Sequence, residues 1–255
     1  MFDRQINTKT PAELKIMREA GRINATVLAK VRELLQPGMT TADLNAAAEE
    51  VLKSYGCVSP FKGYGRPPFP ASITVSLNDE MVHGIPNPKR KLKEGDIVSI
   101  DCGTIYEGFV ADSAFTAGVG EISPEAANLL KVTEEALFVG IQKMRKGNRT
   151  GDVSAAIQNF VEGNGLHVTR EYTGHGVGRT MHEAPQVPNI GVAGTGIMLK
   201  PGTTIALEPM VLIGTFQTRV LPDQWTVVSA DGSLTAHFEH SVAVTEGEPL
   251  ILTVL

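Results

Sequence analysis

The sequence predicts an α+β fold made of two similar halves, with a mainly antiparallel sheet about a pseudo-two-fold axis and helices on its outer face. Segment 38–56 (GMTTADLNAAAEEVLKSYG) aligns with segment 147–165 (GNRTGDVSAAIQNFVEGNG), and each reads as a helix. In both halves helical segments precede strand-like segments, an order typical of α+β folds rather than repeated βαβ units. The 26 glycines and 15 prolines favour many turns over a helical bundle. Chance similarity between two generic helix-turn-strand units is the alternative explanation.

The first half is expected to contain two helices followed by three strands. Pro11 suits the first turn of a helix over 12–35. Thr41 is a plausible N-cap for the second helix, which Gly56 would close. β-Branched or alternating apolar residues bounded by Gly, Pro or Asp predict the strands. These strands are 73–76, 97–101 and 109–116.

The second half repeats this order. Pro124 suits the first turn of a helix over 124–146. Thr150 is the plausible N-cap of the following helix, and Gly165 would close it. The same criteria predict strands at 168–172, 204–208, 225–228 and 238–244.

Length and composition narrow the class of protein. We expect a single domain over residues 1–255, with halves at 10–120 and 121–250. No apolar run is long enough to span a membrane, and the first ten residues lack the apolar core of a signal peptide. Two cysteines without a CxxC pair suit a reducing cytoplasm. A net charge of −5 without a basic stripe predicts no nucleic-acid specificity.

Four acidic residues occupy apolar strand contexts at positions that the repeat relates. One internal alignment superposes Asp101 on Glu208. Another superposes Asp112 on Glu239. Four buried carboxylates repel one another unless cations neutralise them. Two divalent ions would balance the four charges, which predicts a dinuclear hydrolytic centre.

His175 is the expected fifth ligand of this centre. Glycines on both sides of it keep the imidazole accessible. Oxygen-rich ligation with one imidazole suits Mn(II), Fe(II), Co(II) or Zn(II), and suits Mg(II) less well.

The other five histidines have different expectations. His83 and His182 lie in loops rich in Gly and Pro, where a site role and a structural role are equally plausible from spacing alone. His167 and His237 are expected at the surface or in turns. His240 directly follows one of the four acids in a strand, so its side chain should face the opposite side.

Six segments together form a far more specific pattern than any one of them. They are MVHGIP (81–86), GDIVSIDCG (95–103), ADSAFT (111–116), EYTGHGVGRTMHEAPQV (171–187), LKPGTTIALEPM (199–210) and FEHSVAVT (238–245). With them the chain resembles, over essentially its whole length, the type I methionine aminopeptidases, metallopeptidases with the duplicated pita-bread fold. The resemblance implies a metal-dependent hydrolase that removes the initiator methionine when the second residue is small.

The resemblance also implies how the ligands divide between two ions. Asp112 and Glu239 would bridge both ions. His175 and Glu208 would complete one site, and Asp101 would complete the other. Glu208 would in addition transfer a proton to or from the water between the ions.

Other roles carried by the resemblance concern the substrate. His83 and His182 would contact the peptide near the scissile bond. Tyr64, Phe69 and Trp225 would line the methionine pocket. A structural monovalent cation would be held by Asn78, Glu80 and Thr235.

The partners that the resemblance implies are nascent polypeptide N-termini, met at the ribosome by the catalytic domain itself, and a monomer is expected. The loop 63–70 is somewhat longer than in many bacterial relatives, and Met181 replaces an aromatic residue common in the family. Both departures touch the pocket rim, so they affect side-chain preference rather than chemistry. The alternatives are a proline-specific peptidase, which shares the five ligands, and a non-catalytic relative that binds proteins or RNA.

Overall fold

The computed structural model describes residues 6–255, and the first five residues, on which the signal-peptide argument partly depends, lie outside the described residues. The helices are α1 (Pro11–Glu33), α2 (Thr41–Ser54), α3 (Pro124–Ile141) and α4 (Thr150–Gly163). The strands of the first half are β1 (Ile73–Leu77), β2 (Glu80–Val82), β3 (Ile97–Tyr106) and β4 (Phe109–Gly118). Those of the second half are β5 (His167–Val168), β6 (Thr173–Gly176), β7 (Glu183–Pro188), β8 (Thr204–Leu207), β9 (Met210–Leu212), β10 (Thr218–Val220), β11 (Val227–Ser229), β12 (Thr235–His237), β13 (Glu239–Ala243) and β14 (Leu250–Ile251).

The main sheet has eight strands and joins the two halves edge to edge. Its order is β1-β3-β4-β13-β8-β6-β7, with β14 paired to β13. Every strand pair among the described residues is antiparallel. Across the sheet, β4 is the last strand of the first half and is paired with β13 of the second half. This order confirms the predicted pseudo-two-fold α+β architecture.

Helix α2 begins one residue earlier than predicted. Thr40, not Thr41, is its N-cap: the Thr40 hydroxyl accepts from the Asp43 amide, and the Asp43 carboxylate accepts from the Thr40 amide. The Thr41 hydroxyl instead bonds both to the carbonyl and to the amide of Asn87. The predicted cap residue thus fastens a neighbouring loop to the helix.

The N-cap of helix α4 also lies one residue before the predicted threonine. Arg149 occupies the N-cap position, and its amide donates to the Asp152 carboxylate at 2.7 Å. The Thr150 hydroxyl, expected to cap, accepts from the Ile197 amide at 3.1 Å. Equivalent threonines in the two halves therefore perform the same loop-fastening task.

Other boundaries also differ from expectation. The strand expected at 168–172 covers only Val168, and the chain pairs again at Thr173–Gly176. Strand β7 was not predicted, although its residues alternate in burial, because two of its six residues are prolines. Prolines lower the strand signal of a sequence.

The helices cover one face of the main sheet and enclose the largest apolar core. Ile23 of α1, Leu44 of α2, Leu129 of α3 and Ile157 of α4 are buried in it. Burying each such side chain contributes about 1.5–3 kcal/mol. At Gly21, an added Cβ would lie 2.1 Å from the Leu252 carbonyl oxygen, so a glycine lets the C-terminal segment pass against α1.

Asn24 connects α1 to the two strands that carry acidic residues. It is fully buried, and its amide donates to the carbonyls of Cys102 and Ala111 at 2.5 and 3.1 Å. Each carbonyl belongs to a residue adjacent in sequence to Asp101 or Asp112. Helix α1 therefore holds the backbone from which both acids project.

Candidate metal centre

Strand register places the acids on one face of the sheet, opposite the helices. Asp101 of β3 and Glu239 of β13 both lie opposite Ala114 of β4. Asp112 is two residues before Ala114, and residues two apart in a strand share a face. The three carboxylates therefore project together from three adjacent strands.

The second half adds a histidine and a fourth carboxylate to this face. His175 of β6 lies opposite Ala206 of β8. Glu208 follows Ala206 by two residues, directly after β8 ends. The His175 Nε2 atom is 3.5 Å from Glu208 Oε1 and 3.9 Å from Asp112 Oδ2. Ligand atoms of Asp112, His175 and Glu239 all lie within 4.8 Å of one another.

Two hydrogen bonds between the halves fix this arrangement. The Ser241 hydroxyl accepts from the Asp112 amide at 2.9 Å and donates to the Asp112 carbonyl at 2.8 Å. Ser241 is fully buried and lies on the same strand as Glu239. The two central acids are thus held by one pair of bonds between β4 and β13.

The electrostatics of the cluster are unfavourable for a protein without a bound cation. Burial raises the pKa of Asp101 to about 7. Burial, reinforced by neighbouring carboxylates, raises the pKa values of Asp112, Glu208 and Glu239 well above their ordinary range. One buried oxygen each of Asp101, Asp112 and Glu239 has no hydrogen-bond partner. Unpaired buried oxygens and mutual repulsion fit a divalent cation, which would satisfy both.

His175 has the tautomer that a metal ligand needs. Its Nδ1 atom is 2.9 Å from the Gly176 carbonyl oxygen, to which it donates. Nε2 therefore presents its lone pair to the carboxylates, an orientation typical of metal-binding imidazoles. Burial, with a smaller contribution from His182, lowers the pKa of His175 to about 3. The imidazole is neutral and free to ligate at neutral pH.

The flanking glycines have a packing reason that the sequence could not reveal. A Cβ at Gly174 would lie 2.8 Å from the Ala206 carbonyl oxygen. A Cβ at Gly176 would lie 2.3 Å from the Ala184 carbonyl oxygen. Strand β6 can approach its neighbours and present His175 only because these positions lack side chains.

All ten residues predicted for the site line a single cavity of about 260 Å³. They are Tyr64, Phe69, His83, Asp101, Asp112, His175, His182, Glu208, Trp225 and Glu239. Phe61, Thr74 and Met181 complete the lining. The lining combines a group of carboxylates with a group of aromatic side chains. A few polar groups in an otherwise apolar pocket are typical of a ligand site.

His182 contacts both parts of the cavity. Its Nδ1 atom is 2.9 Å from the Tyr64 hydroxyl, and its ring centroid is 4.2 Å from that of His175. Burial lowers its pKa. His83 has a left-handed backbone with φ of 61°, and burial lowers its pKa to about 4, with a smaller effect of His182. Both imidazoles are therefore neutral near pH 7.

The loop 63–70 shapes the aromatic wall. The Trp225 indole Nε1 donates to the Pro67 carbonyl at 3.0 Å. Phe69 meets the Trp225 ring edge-on, with centroids 5.2 Å apart. At Gly65, with φ of 72°, a Cβ would lie 2.6 Å from the indole. The loop thus fixes Trp225 by close approach.

His237 was expected at the surface, and this prediction is wrong. It is buried, and its Nε2 atom lies 3.7 Å from Glu208 and 3.8 Å from Glu239 without a hydrogen-bond partner. Burial lowers its pKa to about 3. The missed signal was alternation: His237 precedes Glu239 by two residues, so the two side chains face the same way.

His240 is adjacent to Glu239 in the strand, so alternation places its side chain on the other face of the sheet. Its Nδ1 atom pairs with the Thr253 hydroxyl at 2.8 Å on the helical side of the sheet, as alternation predicts. His167 is partly exposed and forms part of β5.

The residues considered for a monovalent cation are close together but differently engaged. The Asn78 carbonyl accepts from the Thr235 amide at 2.9 Å and from its hydroxyl at 3.2 Å. Glu80 pairs with Arg90, with distances of 2.5 and 2.7 Å. The Glu80 charge is therefore already neutralised by a guanidinium.

Comparison with known proteins gives the class first. Residues 15–246 match Metallopeptidase family M24. The chain belongs to this family of metal-dependent hydrolases, and the carboxylate cluster supports its use of divalent metal. A prolidase from Pyrococcus furiosus, at 20% identity and a TM-score of 0.78 over 97% of this chain and 65% of that one, shares the fold.

Closer similarities define the group within the family. A methionine aminopeptidase of Clostridium acetobutylicum is 49% identical over 96% of this chain and 97% of its own length. Methionine aminopeptidase 1 of Bacillus subtilis is 49% identical, with coverages of 96% and 98%. The crystal structure of methionine aminopeptidase from Thermotoga maritima has a TM-score of 0.96 at 44% identity, covering 98% of this chain and all of that one. Within family M24 the chain thus falls among the type I methionine aminopeptidases, and it is a metal-dependent aminopeptidase.

Proposed function

We propose that this protein removes the N-terminal initiator methionine from nascent proteins and peptides whose second residue is small, with two divalent ions per chain. The observation that carries the proposal is the joining of four buried carboxylates and a neutral imidazole to an aromatic pocket in one cavity. The acids supply ligands, and the pocket suits an uncharged thioether side chain.

The positions of the acids support a division between two ions. Asp112 and Glu239 belong to the two strands that meet where the halves join, which supports a bridging role for both. His175 and Glu208 come from neighbouring strands of the second half and would complete one site. Asp101 would complete the other from the first half. Bound ions would lower the pKa of a shared water and polarise the scissile carbonyl.

The proposal assigns proton handling to Glu208. Burial and the charges of Asp112 and Asp101 raise its pKa well above the ordinary range, so it holds a proton more readily than an exposed glutamate. A carboxylate with a raised pKa is a better proton acceptor, which suits general acid–base work. Glu208 would therefore accept a proton from the attacking water and pass it to the departing amine.

The proposal gives the two loop histidines substrate contacts. When the Tyr64 hydroxyl donates to Nδ1 of His182, the ring proton lies on Nε2. Such an N–H can donate to a carbonyl oxygen that gains negative charge. His83, neutral and edge-on to the Trp225 ring at 6.2 Å, would help hold the peptide nitrogen.

The remaining parts of the proposal concern the context of the reaction. The ions would be Co(II), Mn(II), Fe(II) or Zn(II). A monovalent cation bound near Asn78, Glu80 and Thr235 would have to share the Glu80 carboxylate with Arg90. The chain would act as a single-domain monomer in the cytoplasm, on N-termini that emerge from the ribosome. Among the described residues, no helix is long and apolar enough to cross a membrane.

Methionine release from Met-Ala-Ser and Met-Phe-Ser, with cleavage of Ala-Pro-Ala as the control, tests the proposal. The assay uses metal-stripped protein to which Mn(II), Fe(II) or Co(II) is restored. We expect metal-dependent cleavage of Met-Ala-Ser alone. Cleavage of Met-Phe-Ser at the same rate would contradict selectivity for a small second residue. Cleavage of Ala-Pro-Ala would indicate a proline-specific peptidase, and no cleavage despite bound ions would indicate a binding protein.

A further inference from the structure

Lys9 and Glu183 form an ion pair remote in sequence and hidden from solvent. The Lys9 Nζ atom is 2.5 Å from Glu183 Oε2, and the two side chains are 4% and 6% exposed. Burying two charges costs desolvation energy that the attraction between them often fails to exceed. A buried pair is therefore weak evidence for stability, and its position in the fold needs another explanation.

The second oxygen of Glu183 connects the pair to the cavity. Glu183 Oε1 accepts from the Arg179 amide at 2.7 Å and from the Thr180 amide at 3.2 Å. Both amides belong to the loop 178–182, which ends at His182. The Glu183 carboxylate thus bonds back to two amides that precede His182, the histidine that contacts Tyr64, and so holds the loop on both sides of it.

Lys9 is a fixed point rather than a mobile surface lysine. Its amide donates to the Gly202 carbonyl at 2.7 Å, and its ammonium donates to the Asn7 carbonyl at 3.0 Å. A Cβ at Gly178 would lie 2.3 Å from Lys9 Cε and 2.8 Å from Glu183 Oε1. The lysine stem is therefore packed against the start of the loop.

The nearby arginine does not replace the lysine charge. The Arg179 guanidinium pairs with Glu13 at 2.8 Å and lies 4.4 Å from the centroid of the Phe109 ring. The Arg179 side chain is 64% exposed and pairs with Glu13, whereas its backbone amide donates to the Glu183 carboxylate. Glu183 therefore depends on Lys9 for neutralisation.

We propose that Lys9 is a positioning residue for His182: its ammonium neutralises Glu183, which keeps that carboxylate bonded to the Arg179 and Thr180 amides and so orients the His182 loop. The catalytic consequence rests on the role of His182 in the proposed function. Without the ammonium, a buried carboxylate would be left unpaired and would turn towards water, releasing the loop. Lys9, just before α1, is thereby part of the machinery that orients the substrate contact.

The test uses full-length, metal-loaded Lys9→Met, with Lys146→Met as matched control. Lys146 forms an exposed pair with Glu246 at 2.7 Å and is not among the residues that line the cavity, so its loss should leave turnover unchanged. We expect Lys9→Met to lower kcat by about 10- to 100-fold, because small misplacements of a contact residue have effects of that size. Metal content should stay at the wild-type level. In a His182→Ala background, Lys9→Met should cause no further fall in kcat.

Two further measurements separate positioning from a merely structural role. In metal-free protein, the His182 ring resonances, assigned by their absence from His182→Ala, should shift in Lys9→Met and not in Lys146→Met. The double variant Lys9→Met/Glu183→Gln removes both charges, keeps an oxygen that accepts from the loop amides, and should regain most of the lost turnover. It also covers the case in which Lys9→Met folds poorly.

Each result bears on one proposal. Unshifted His182 resonances in Lys9→Met, or equal falls in kcat with and without His182, would overturn the positioning role of Lys9. Wild-type turnover by His182→Ala would instead contradict the role of His182 in the proposed function, while a shift of its resonances in Lys9→Met would still support the structural link.

Discussion

Asp112 is the residue on which the proposed two-ion arrangement depends most. Losing a hydrogen-bond partner of a metal ligand already costs about 10- to 100-fold in affinity or activity, so Asp112→Ala should lower turnover by more than this and release at least one ion. Metal analysis of the purified protein, together with Met-Ala-Ser turnover, provides the measurement. Glu162→Gln, an exposed site on α4, is the control. Retention of both ions with near-normal turnover would exclude the bridging role.

His237 provides a second prediction at the residue scale. Its neutral ring lies against Glu208 and Glu239, so His237→Leu should weaken metal binding by about tenfold, whereas His237→Gln keeps an N–H donor and should lose less. Competition with a chromophoric chelator measures the affinity. Equal affinity in wild type and His237→Leu would show that this imidazole does not support the carboxylates.

His83 predicts a particular dependence of stability on pH. Its pKa is about 4 in the fold and about 6.5 in the unfolded chain, so between these values only the unfolded chain takes up the proton. The contribution of neutral His83 to the free energy of unfolding is complete above pH 6.5 and is lost as the pH falls towards 4. For metal-free protein in urea, the loss of unfolding free energy between pH 7.5 and 5 should be smaller in His83→Asn by about 2 kcal/mol. Equal losses in both proteins would refute the assignment.

At the scale of the element, α1 and the strands it covers act together. Asn24 satisfies carbonyls beside two of the acids, so Asn24→Ala should lower the free energy of unfolding by about 1–3 kcal/mol and also weaken metal binding. Urea unfolding and chelator competition give the two values. Asn164→Ala, at an exposed helix end, should change neither by comparable amounts. Loss of stability with wild-type metal affinity would show that α1 does not orient the acids.

Elements also show where sequence reasoning succeeded and failed. The proline at the start of α1, the repeated helices and the acid-bearing strands were predictable, because helix starts and apolar strands leave local signals. The N-cap residues were displaced by one, since Thr41 and Thr150 bond to loops that only the tertiary structure brings near. His237 was missed although alternation from Glu239 contained the information. The Lys9–Glu183 pair had no local signal, as 174 positions separate its members.

At the scale of the whole molecule, the sequence predicted the symmetry of the sheet but not the order of its strands. The repeat predicted that two half-sheets meet, and the resemblance to a known family supplied ligand roles that spacing alone left open for His83 and His182. No pattern indicated that β4 and β13 are the strands that pair, because pairing between distant strands is decided by the complete fold. Residue types at the cavity were therefore predictable, but their distances were not.

Metal binding should stabilise the whole molecule in a pH-dependent manner. A ligand at 100 times its Kd adds about 2.7 kcal/mol to the free energy of unfolding. The pKa of Asp101 is about 7, and those of Asp112, Glu208 and Glu239 are also raised, so protons compete with the ion as the pH falls. The rise in Tm on adding Mn(II) should be smaller at pH 5.5 than at pH 7.5. An equal rise at both values would argue that these carboxylates are not the ligands.

The meeting of β4 and β13 has a consequence for how the chain can be divided. A break in the connection 119–123 would leave each fragment with its own helices and its own share of the sheet. One fragment would carry Asp101 and Asp112, and the other His175, Glu208 and Glu239, so neither alone would hold a complete centre. Co-expressed fragments should regain activity when they associate along that strand pair, whereas each expressed alone should be inactive. The protein is thus a natural starting point for a split reporter whose signal depends on reassembly.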